Sequence, residues 1–204
     1  MEGTPVDVGP AGNHYDKYAS TNPIERRMMQ GFLATFDSMV NPLQPLKVLE
    51  VGVGEGEILK RISSRFPLAS VQGIDLPADH LQEEWTRRGV HAEFGDATAM
   101  RFADGEFDLV LAIEVLEHIP NFEKALAEIA RVCRGHVVLS VPREPIWRLG
   151  NMARGRYLSR LGNTPGHVNH WSGSGFQRMV ARFFDIEQSA HPLPWTMVRG
   201  RSKR

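Results

Sequence analysis

The chain has 204 residues, of which 42% are hydrophobic, and its 24 lysine and arginine residues are balanced by 24 aspartate and glutamate residues. This length and composition suit one compact domain with a full core, and the balanced charge gives no overall attraction to nucleic acid or to an anionic membrane. The single cysteine excludes an internal disulfide framework, and no apolar run reaches the roughly 18 residues of a membrane span, so we expect a cytoplasmic protein.

The first residues, 1–22, contain glycine and proline and are expected to form a flexible segment ahead of a single domain, 23–204. The stretch before Pro23 is typical of a helix start, because the side chain of Thr21 or of Asn22 can accept from free backbone N–H groups and proline suits the first turn. Apolar residues then recur about one turn apart, which predicts a helix over 23–40.

Short apolar segments alternate with amphipathic ones through the middle of the chain. The predicted strands are 47–51, 70–75, 90–95, 107–113 and 136–141, and the predicted helices between them are 57–66, 80–89 and 121–133. Alternation of this kind predicts a parallel sheet with helices on both faces, and continuous apolar strands indicate burial on both faces. The sequence therefore predicts an α/β fold, Rossmann-like and doubly wound, with ligands beyond the carboxyl ends of the strands. Cys133 falls late in the last of these helices, which favours a buried structural role.

The C-terminal part has a different pattern. A helix is predicted over 174–184, and two strand-like segments joined by Pro-Leu-Pro follow it. Two strands so close together form a hairpin, so one of them is antiparallel to the rest. The segment 142–171 is too long for an ordinary connection and is expected to be a lid or substrate-side insertion, in which Gly150 and Gly155 interrupt any single amphipathic helix.

Alternating glycines follow the first predicted strand in the stretch "LEVGVGEG". A glycine turn between a strand and a helix lets a ligand approach the main chain. Glu50 and Glu55 would repel a pyrophosphate at this turn, which favours a cationic or zwitterionic ligand over a dinucleotide. A tight turn without a ligand is the alternative.

Carboxylates end the next two strands. Asp75 follows the second strand, where an acid can accept hydrogen bonds from both hydroxyls of a ribose, and Asp96 follows the third, where an acid can accept from an adenine amino group. Each could be an exposed loop aspartate when considered alone. Together with the glycine turn, they predict a nucleoside site at one edge of the sheet.

These motifs resemble those of the class I S-adenosylmethionine-dependent methyltransferases, from "LEVGVGEG" through "GIDL" and "FGDAT" to "FDLVLAIEVLEHI". The resemblance covers about 45 to 190 and implies a seven-stranded sheet with the last strand antiparallel. It also implies S-adenosylmethionine as cofactor and S-adenosylhomocysteine as product. The residues that it assigns to the cofactor are Glu50, Gly52 and Gly54 (methionine end), Asp75 (ribose), Leu76, Asp96 and Ala97 (adenine), Glu114 (sulfonium side), and Tyr18 from an N-terminal lid.

Methyl transfer to a hydroxyl needs a group that takes up a proton, and histidine suits this role near neutral pH. His118 lies just past the fourth strand, and His167 and His170 lie at the end of the insertion, so these three are the candidate catalytic residues. A structural histidine is the alternative for each. His167 and His170 could share a metal, but no carboxylate or cysteine is near them in the sequence, so we expect no metal.

The insertion is rich in arginine, with five between 142 and 171 against the single acid Glu144. An arginine-rich cover over the acceptor pocket would suit an acceptor with a phosphate or carboxylate group, although a solvated surface is the plain alternative. The candidate substrate contacts are Arg143, Trp147, Trp171 and, from the N-terminal segment, Tyr15.

The sequence thus predicts a methyltransferase that acts on a small molecule, with O-methylation of an anionic or sugar-containing metabolite favoured by the candidate bases. N- or C-methylation and cofactor binding without catalysis are the alternatives. The chain lacks the N/D-P-P-Y/F pattern of base amino-group methylation and is electrically balanced, so we expect no nucleic-acid partner. The sequence does not indicate an oligomeric state.

Overall fold

A computed structural model describes residues 21–204 of the chain. It contains seven strands: β1 (Lys47–Val51), β2 (Ser70–Asp75), β3 (Ala92–Phe94), β4 (Phe107–Ile113), β5 (Cys133–Pro142), β6 (Phe184–Ala190) and β7 (Trp195–Ser202). They form one sheet in the order β3-β2-β1-β4-β5-β7-β6. The first five strands are parallel, and β7 is antiparallel to both β5 and β6. The predicted seven-stranded, Rossmann-like sheet with an antiparallel last strand is confirmed.

Six α-helices cover the sheet in the described part of the chain: α1 (Pro23–Val40), α2 (Glu57–Arg65), α3 (Leu81–Arg88), α4 (Phe122–Val132), α5 (Ile146–Ala153) and α6 (Gly173–Val180). Two 3-10 turns, Leu116–His118 and Leu158–Arg160, lie after β4 and within the insertion. The predicted start of α1 is confirmed, because the Asn22 side chain accepts from the N–H of Ile24 at 2.9 Å and Pro23 is the first helical residue.

Alternate residues of the central strands enter two different cores. Leu109 and Leu111 of β4 pack in the cluster that contains α1 and α2, whereas Val110 and Ala112 pack in the cluster that contains α4 and α6. Both sides of β4 are therefore buried, which is the physical reason for its continuous apolar sequence.

Several predicted boundaries were wrong. Cys133 is not in a helix: it is the first residue of β5, and it pairs in register with Phe107 of β4. Sheet pairing extends β5 three residues upstream of its predicted start and ends α4 at Val132. The predicted helix 174–184 ends at Val180, because Phe184 already begins β6.

The insertion is more regular than its glycine content predicted. Helix α5 continues through Gly150, where an added Cβ atom would meet nothing within 4 Å, so the helix there neither needs nor excludes glycine. Gly155, with φ of +69°, lies after the end of the helix, where a left-handed backbone favours glycine. Within residues 21–204, no helix is both long and apolar enough to cross a membrane.

Candidate active site

The glycine turn between β1 and α2 lies across the end of β2. The N–H groups of Gly52 and Val53 both donate to the carbonyl of Ile74, at 2.8 and 3.3 Å. Gly52 has φ of +76°, and a Cβ atom built on it would lie 2.4 Å from Cγ2 of Val115. Both the backbone conformation and the close neighbour therefore require glycine at this position.

The side chains of Asp75 and Trp85 both form hydrogen bonds with the main chain of the same turn. The Asp75 carboxylate accepts from the N–H of Gly54 at 2.6 Å and from the N–H of Leu76 at 2.7 Å. The Trp85 indole N–H donates to the carbonyl of Gly54 at 2.7 Å. Both main-chain groups of Gly54 are thus already bonded, and each carboxylate oxygen of Asp75 retains one further lone pair for a ligand hydroxyl.

Glu50 is buried under this turn, with 2% of its surface exposed. Its Oε2 atom has no hydrogen-bond partner among the described residues. Burial, together with the charge of Asp75, raises the pKa of Glu50 well above its usual range. Burial also raises the pKa of Asp75, although hydrogen bonds from the Gly54 and Leu76 N–H groups lower it in part. A cationic group near these two acids would stabilise their ionised forms.

The predicted adenine-side residues lie at the ends of β2 and β3, which are joined by a 2.8 Å hydrogen bond from the N–H of Gly95 to the carbonyl of Asp75. Leu76 is exposed, and Ala97 packs against the core. Asp96 is exposed and accepts from the N–H of Thr98 at 2.7 Å. The structure brings these residues to the same edge as the glycine turn, and their contacts with an adenine remain predictions.

Glu114, immediately after β4, is anchored within the protein. Its two carboxylate oxygens accept from the Ser140 hydroxyl at 3.0 Å and from the Trp195 indole N–H at 2.6 Å. Its φ of +59° is rare for a residue with a side chain. Glu114 therefore links the end of β4 to β5 and β7, and its predicted position near the sulfonium remains a prediction.

The three candidate histidines lie at two different places in the structure. The rings of His118 and His167 meet edge to face, with centroids 4.8 Å apart. His170 is exposed, and its Nε2 atom lies 3.3 Å from an Arg148 guanidinium nitrogen. The segment 167–170 is not helical, so His167 and His170 are not directed toward one site by a shared turn of helix.

The arginines of the insertion differ in their partners. Arg154 pairs with Glu25 of α1 at 3.0 Å, and Arg156 lies 4.0 Å from the same carboxylate. Arg143 forms no ion pair with any described residue, and its buried Nε atom has no hydrogen-bond partner there either. Arg143 is therefore a partly buried arginine without an acidic partner in residues 21–204, and its contact with an acceptor remains a prediction.

The two predicted substrate tryptophans both have structural contacts. The Trp147 indole N–H donates to the Thr164 hydroxyl at 2.9 Å, and its ring stacks on His167 with centroids 5.8 Å apart. Trp171 packs on Phe176, while Ser172 between them accepts from the N–H of Gly175. Trp171 and Ser172 therefore form a hydrophobic staple and a cap at the start of α6. Substrate contact remains a prediction for both tryptophans, and Tyr15 and Tyr18 lie outside the described residues.

Two residues that contact the site were not predicted from the sequence. Trp85 was predicted only as part of the helix 80–89, although its indole N–H donates to the glycine turn. Asn169 donates from its side-chain amide to the carbonyls of Leu116 and Ile119, at 3.0 and 2.7 Å, and so fastens the insertion to the turn that contains His118. Neither contact follows from local spacing, because the partners are 31 to 53 residues apart.

Comparison with known proteins adds independent information. A family model described as a methyltransferase domain matches residues 49–141, from β1 through β5. A malonyl-[acyl-carrier protein] O-methyltransferase from Geobacter sulfurreducens is 28% identical over 122 residues, which are 58% of this chain and 44% of that protein. The chain thus spans less than half the length of this curated relative.

Solved structures share the fold across nearly the whole chain. The PH0226 protein from Pyrococcus horikoshii OT3 superposes with a TM-score of 0.69 at 18% identity, covering 93% of this chain and 97% of that one. The N-methyltransferase NodS from Bradyrhizobium japonicum WM9, in complex with S-adenosylhomocysteine, superposes with a TM-score of 0.64 at 16% identity, covering 94% of each chain. Residues 49–141 thus match a methyltransferase domain, and the described chain has the Rossmann-like sheet topology of the methyltransferase fold.

Proposed function

We propose that the chain transfers the methyl group of S-adenosylmethionine to a small-molecule acceptor. The observation that carries the proposal is the buried Glu50 carboxylate, whose Oε2 atom lacks a partner among the described residues, beside a glycine turn held by Asp75. A ligand with a cationic amino acid end and a ribose matches this pair, because the cation offsets the charge of Glu50 and the hydroxyls donate to Asp75.

The bound cofactor supplies an already activated methyl group on a positively charged sulfur. The chain's own task is therefore to align the acceptor with that group, to exclude water and to take up a proton where the acceptor is a hydroxyl. Glu50 and Gly52 bind the methionine end, Asp75 binds the ribose, and Leu76, Asp96 and Ala97 enclose the adenine in this proposal.

We assign the His118–His167 pair, rather than His170, to the acceptor oxygen. His118 follows β4 at the carboxyl edge of the sheet and His167 of the insertion contacts it, whereas His170 is exposed beside the Arg148 guanidinium. This placement favours O-methylation, the reaction named for the Geobacter relative, while NodS is named as an N-methyltransferase. N- or C-methylation and binding without catalysis are the competing possibilities.

Arg143 favours an acceptor with a negative charge. Its guanidinium is partly buried and has no acidic partner within the described part of the chain, and an arginine of this kind binds carboxylate or phosphate in a bidentate manner. Arg143→Gln should raise KM for an anionic acceptor more than for its neutral ester. Arg160→Gln, which changes an exposed arginine of the same insertion, is the matched control and should leave both values unchanged.

Calorimetry with S-adenosylhomocysteine and with NAD tests the cofactor assignment, and we expect binding of the first only. A panel of hydroxyl, amine and carbon acceptors, with S-adenosylhomocysteine formation as the readout, then tests catalysis. Tight binding of NAD without binding of S-adenosylhomocysteine would overturn the proposal. Binding of S-adenosylhomocysteine without turnover on any acceptor class would favour the non-catalytic alternative.

A further inference from the structure

Glu117, His118 and His167 form a compact group where the insertion meets the 3-10 turn after β4, and none of the residues assigned to the cofactor belongs to it. Each presents one ligand atom, and these atoms all lie within 4.8 Å of one another. The sequence predicted no metal because His167 has no acid near it in the chain. The fold supplies that acid by bringing the insertion against the 3-10 turn after β4.

The hydrogen bonding of His118 fixes which of its nitrogens can bind an ion. Its Nδ1 atom lies 3.1 Å from the carbonyl oxygen of Gly166. A carbonyl can only accept, so Nδ1 carries the hydrogen and Nε2 of the neutral ring presents its lone pair. Metal-binding histidines are typically held in this way, with the second nitrogen donating to a carbonyl or carboxylate.

His167 is held just as firmly. It is buried, with 9% of its surface exposed, and its ring lies between the ring of His118 and the stacked indole of Trp147. The residues that follow it are bonded to the opposite segment, because the N–H groups of Val168 and Asn169 donate to the carbonyl of Glu117 at 2.9 and 3.1 Å. The two chain segments that supply the three ligand atoms are therefore fastened together before any ion binds.

Two imidazole nitrogens and one carboxylate suit a divalent transition-metal ion, since imidazole favours Zn²⁺ and similar ions while carboxylate also accepts Mn²⁺. Donor atoms around one such ion are about 3 to 3.5 Å apart, so the widest separation in the group, which is up to 4.8 Å, has to shorten when an ion binds. Three protein ligands leave coordination positions open to water or to a substrate oxygen, as in catalytic rather than structural sites.

We propose that Glu117, His118 and His167 bind one divalent transition-metal ion, and that its open positions take an oxygen of the methyl acceptor. The second clause rests on the proposed methyltransferase function. With the ion bound, His118 and His167 act as its ligands and not as the proton acceptor, and the coordinated hydroxyl loses its proton to solvent because the ion stabilises the resulting oxyanion. That oxygen then bonds to the methyl carbon while the carbon–sulfur bond breaks and its electron pair stays on sulfur.

Calorimetric titration of the full chain, stripped with a chelator and free of affinity tags, with Zn²⁺ alone and with Mn²⁺ alone tests the first clause. We expect one ion per chain, and a loss of about tenfold or more in affinity for Glu117→Gln and for His118→Asn. His91→Asn, an exposed histidine before β3, is the matched control and should bind as the unmodified chain does. His118 is exposed, so its variant is expected to fold, and a thermal melt checks this for each variant.

Water-proton relaxation with bound Mn²⁺ tests the open positions without a methyl acceptor. An enhanced relaxation rate that the Glu117→Gln change abolishes supports the proposal, whereas bound Mn²⁺ without enhancement overturns its second clause. Failure to bind either ion, or equal binding by folded Glu117→Gln and His118→Asn variants, overturns the whole inference. A chain that binds S-adenosylhomocysteine but no ion would leave the proposed function standing and overturn the metal site. A chain that binds the ion but no S-adenosylhomocysteine would leave the metal site standing and overturn the proposed function.

Discussion

The carboxylate of Asp75, at the end of β2, accepts a 2.6 Å hydrogen bond from the backbone N–H of Gly54, in the turn after β1. The same carboxylate is the proposed ribose acceptor, so in this proposal one side chain both shapes the glycine turn and binds the cofactor. Replacing it should therefore affect the turn and the ligand together.

Asp75→Ala should weaken binding of S-adenosylhomocysteine by about 1–3 kcal/mol, because the ribose hydroxyls and the Gly54 N–H both lose their acceptor. Asp75→Asn keeps one carbonyl oxygen and should lose less. Asp79→Ala, an exposed acid a few residues further on, is the control. Calorimetric titration of the three variants measures the effect, and equal affinity of Asp75→Ala and Asp79→Ala would remove Asp75 from the site.

Gly52→Ala should destabilise the fold by about 1–2 kcal/mol and weaken cofactor binding, because its φ is +76° and the new methyl group would overlap Val115. Gly31→Ala is the control, since a Cβ atom there meets nothing within 4 Å and alanine is the better helix former in α1. Adding Val115→Ala should restore part of the loss by removing the overlap but not the backbone strain. Urea unfolding measures all three, and a Gly52→Ala variant as stable as Gly31→Ala would contradict this reading of the turn.

Glu50→Gln should stabilise the ligand-free protein near neutral pH while weakening cofactor binding. The folded-state pKa of Glu50 is raised above its ordinary value of 4.5, so its contribution to stability is present below 4.5 and is lost as pH rises through the folded-state pKa. Glutamine carries no charge and avoids that loss, which we place at about 1–3 kcal/mol.

The gain in melting temperature for Glu50→Gln should therefore shrink as pH falls toward 4.5. Glu83→Gln, an exposed position in α3, should show no such dependence. Scanning calorimetry across this pH range checks the prediction. A Glu50→Gln variant that is less stable than the unmodified protein at neutral pH would show that the buried acid is already neutralised by a partner.

The Cys133 thiol should not react with thiol reagents in the folded protein at mildly alkaline pH. It is fully buried, burial raises its pKa to about 11, and its Sγ atom donates to the carbonyl of His136 at 3.2 Å. Since the thiolate is the reactive form, both access and ionisation oppose reaction. A colorimetric thiol assay with and without urea should detect the thiol only after unfolding, and rapid labelling of the folded chain would contradict the burial.

The sequence by itself determined the local framework. The apolar segments fixed the central strands, because a strand buried on both faces has no room for alternating polar residues. Asn22 and Pro23 fixed the start of α1, and the glycines of "LEVGVGEG" fixed a turn that only small residues can form. These features depend on neighbours in the chain, so a linear pattern predicts them.

The tertiary structure alone decided which distant groups meet. Trp85 reaches Gly54, Glu25 neutralises Arg154, and His167 joins Glu117 and His118 only after the sheet and the insertion have packed. Sheet pairing likewise placed Cys133 in β5 against its helical sequence pattern, because a strand partner outweighs local propensity. Contacts of this kind depend on how segments far apart in the chain pack against one another. A local sequence pattern does not determine that packing.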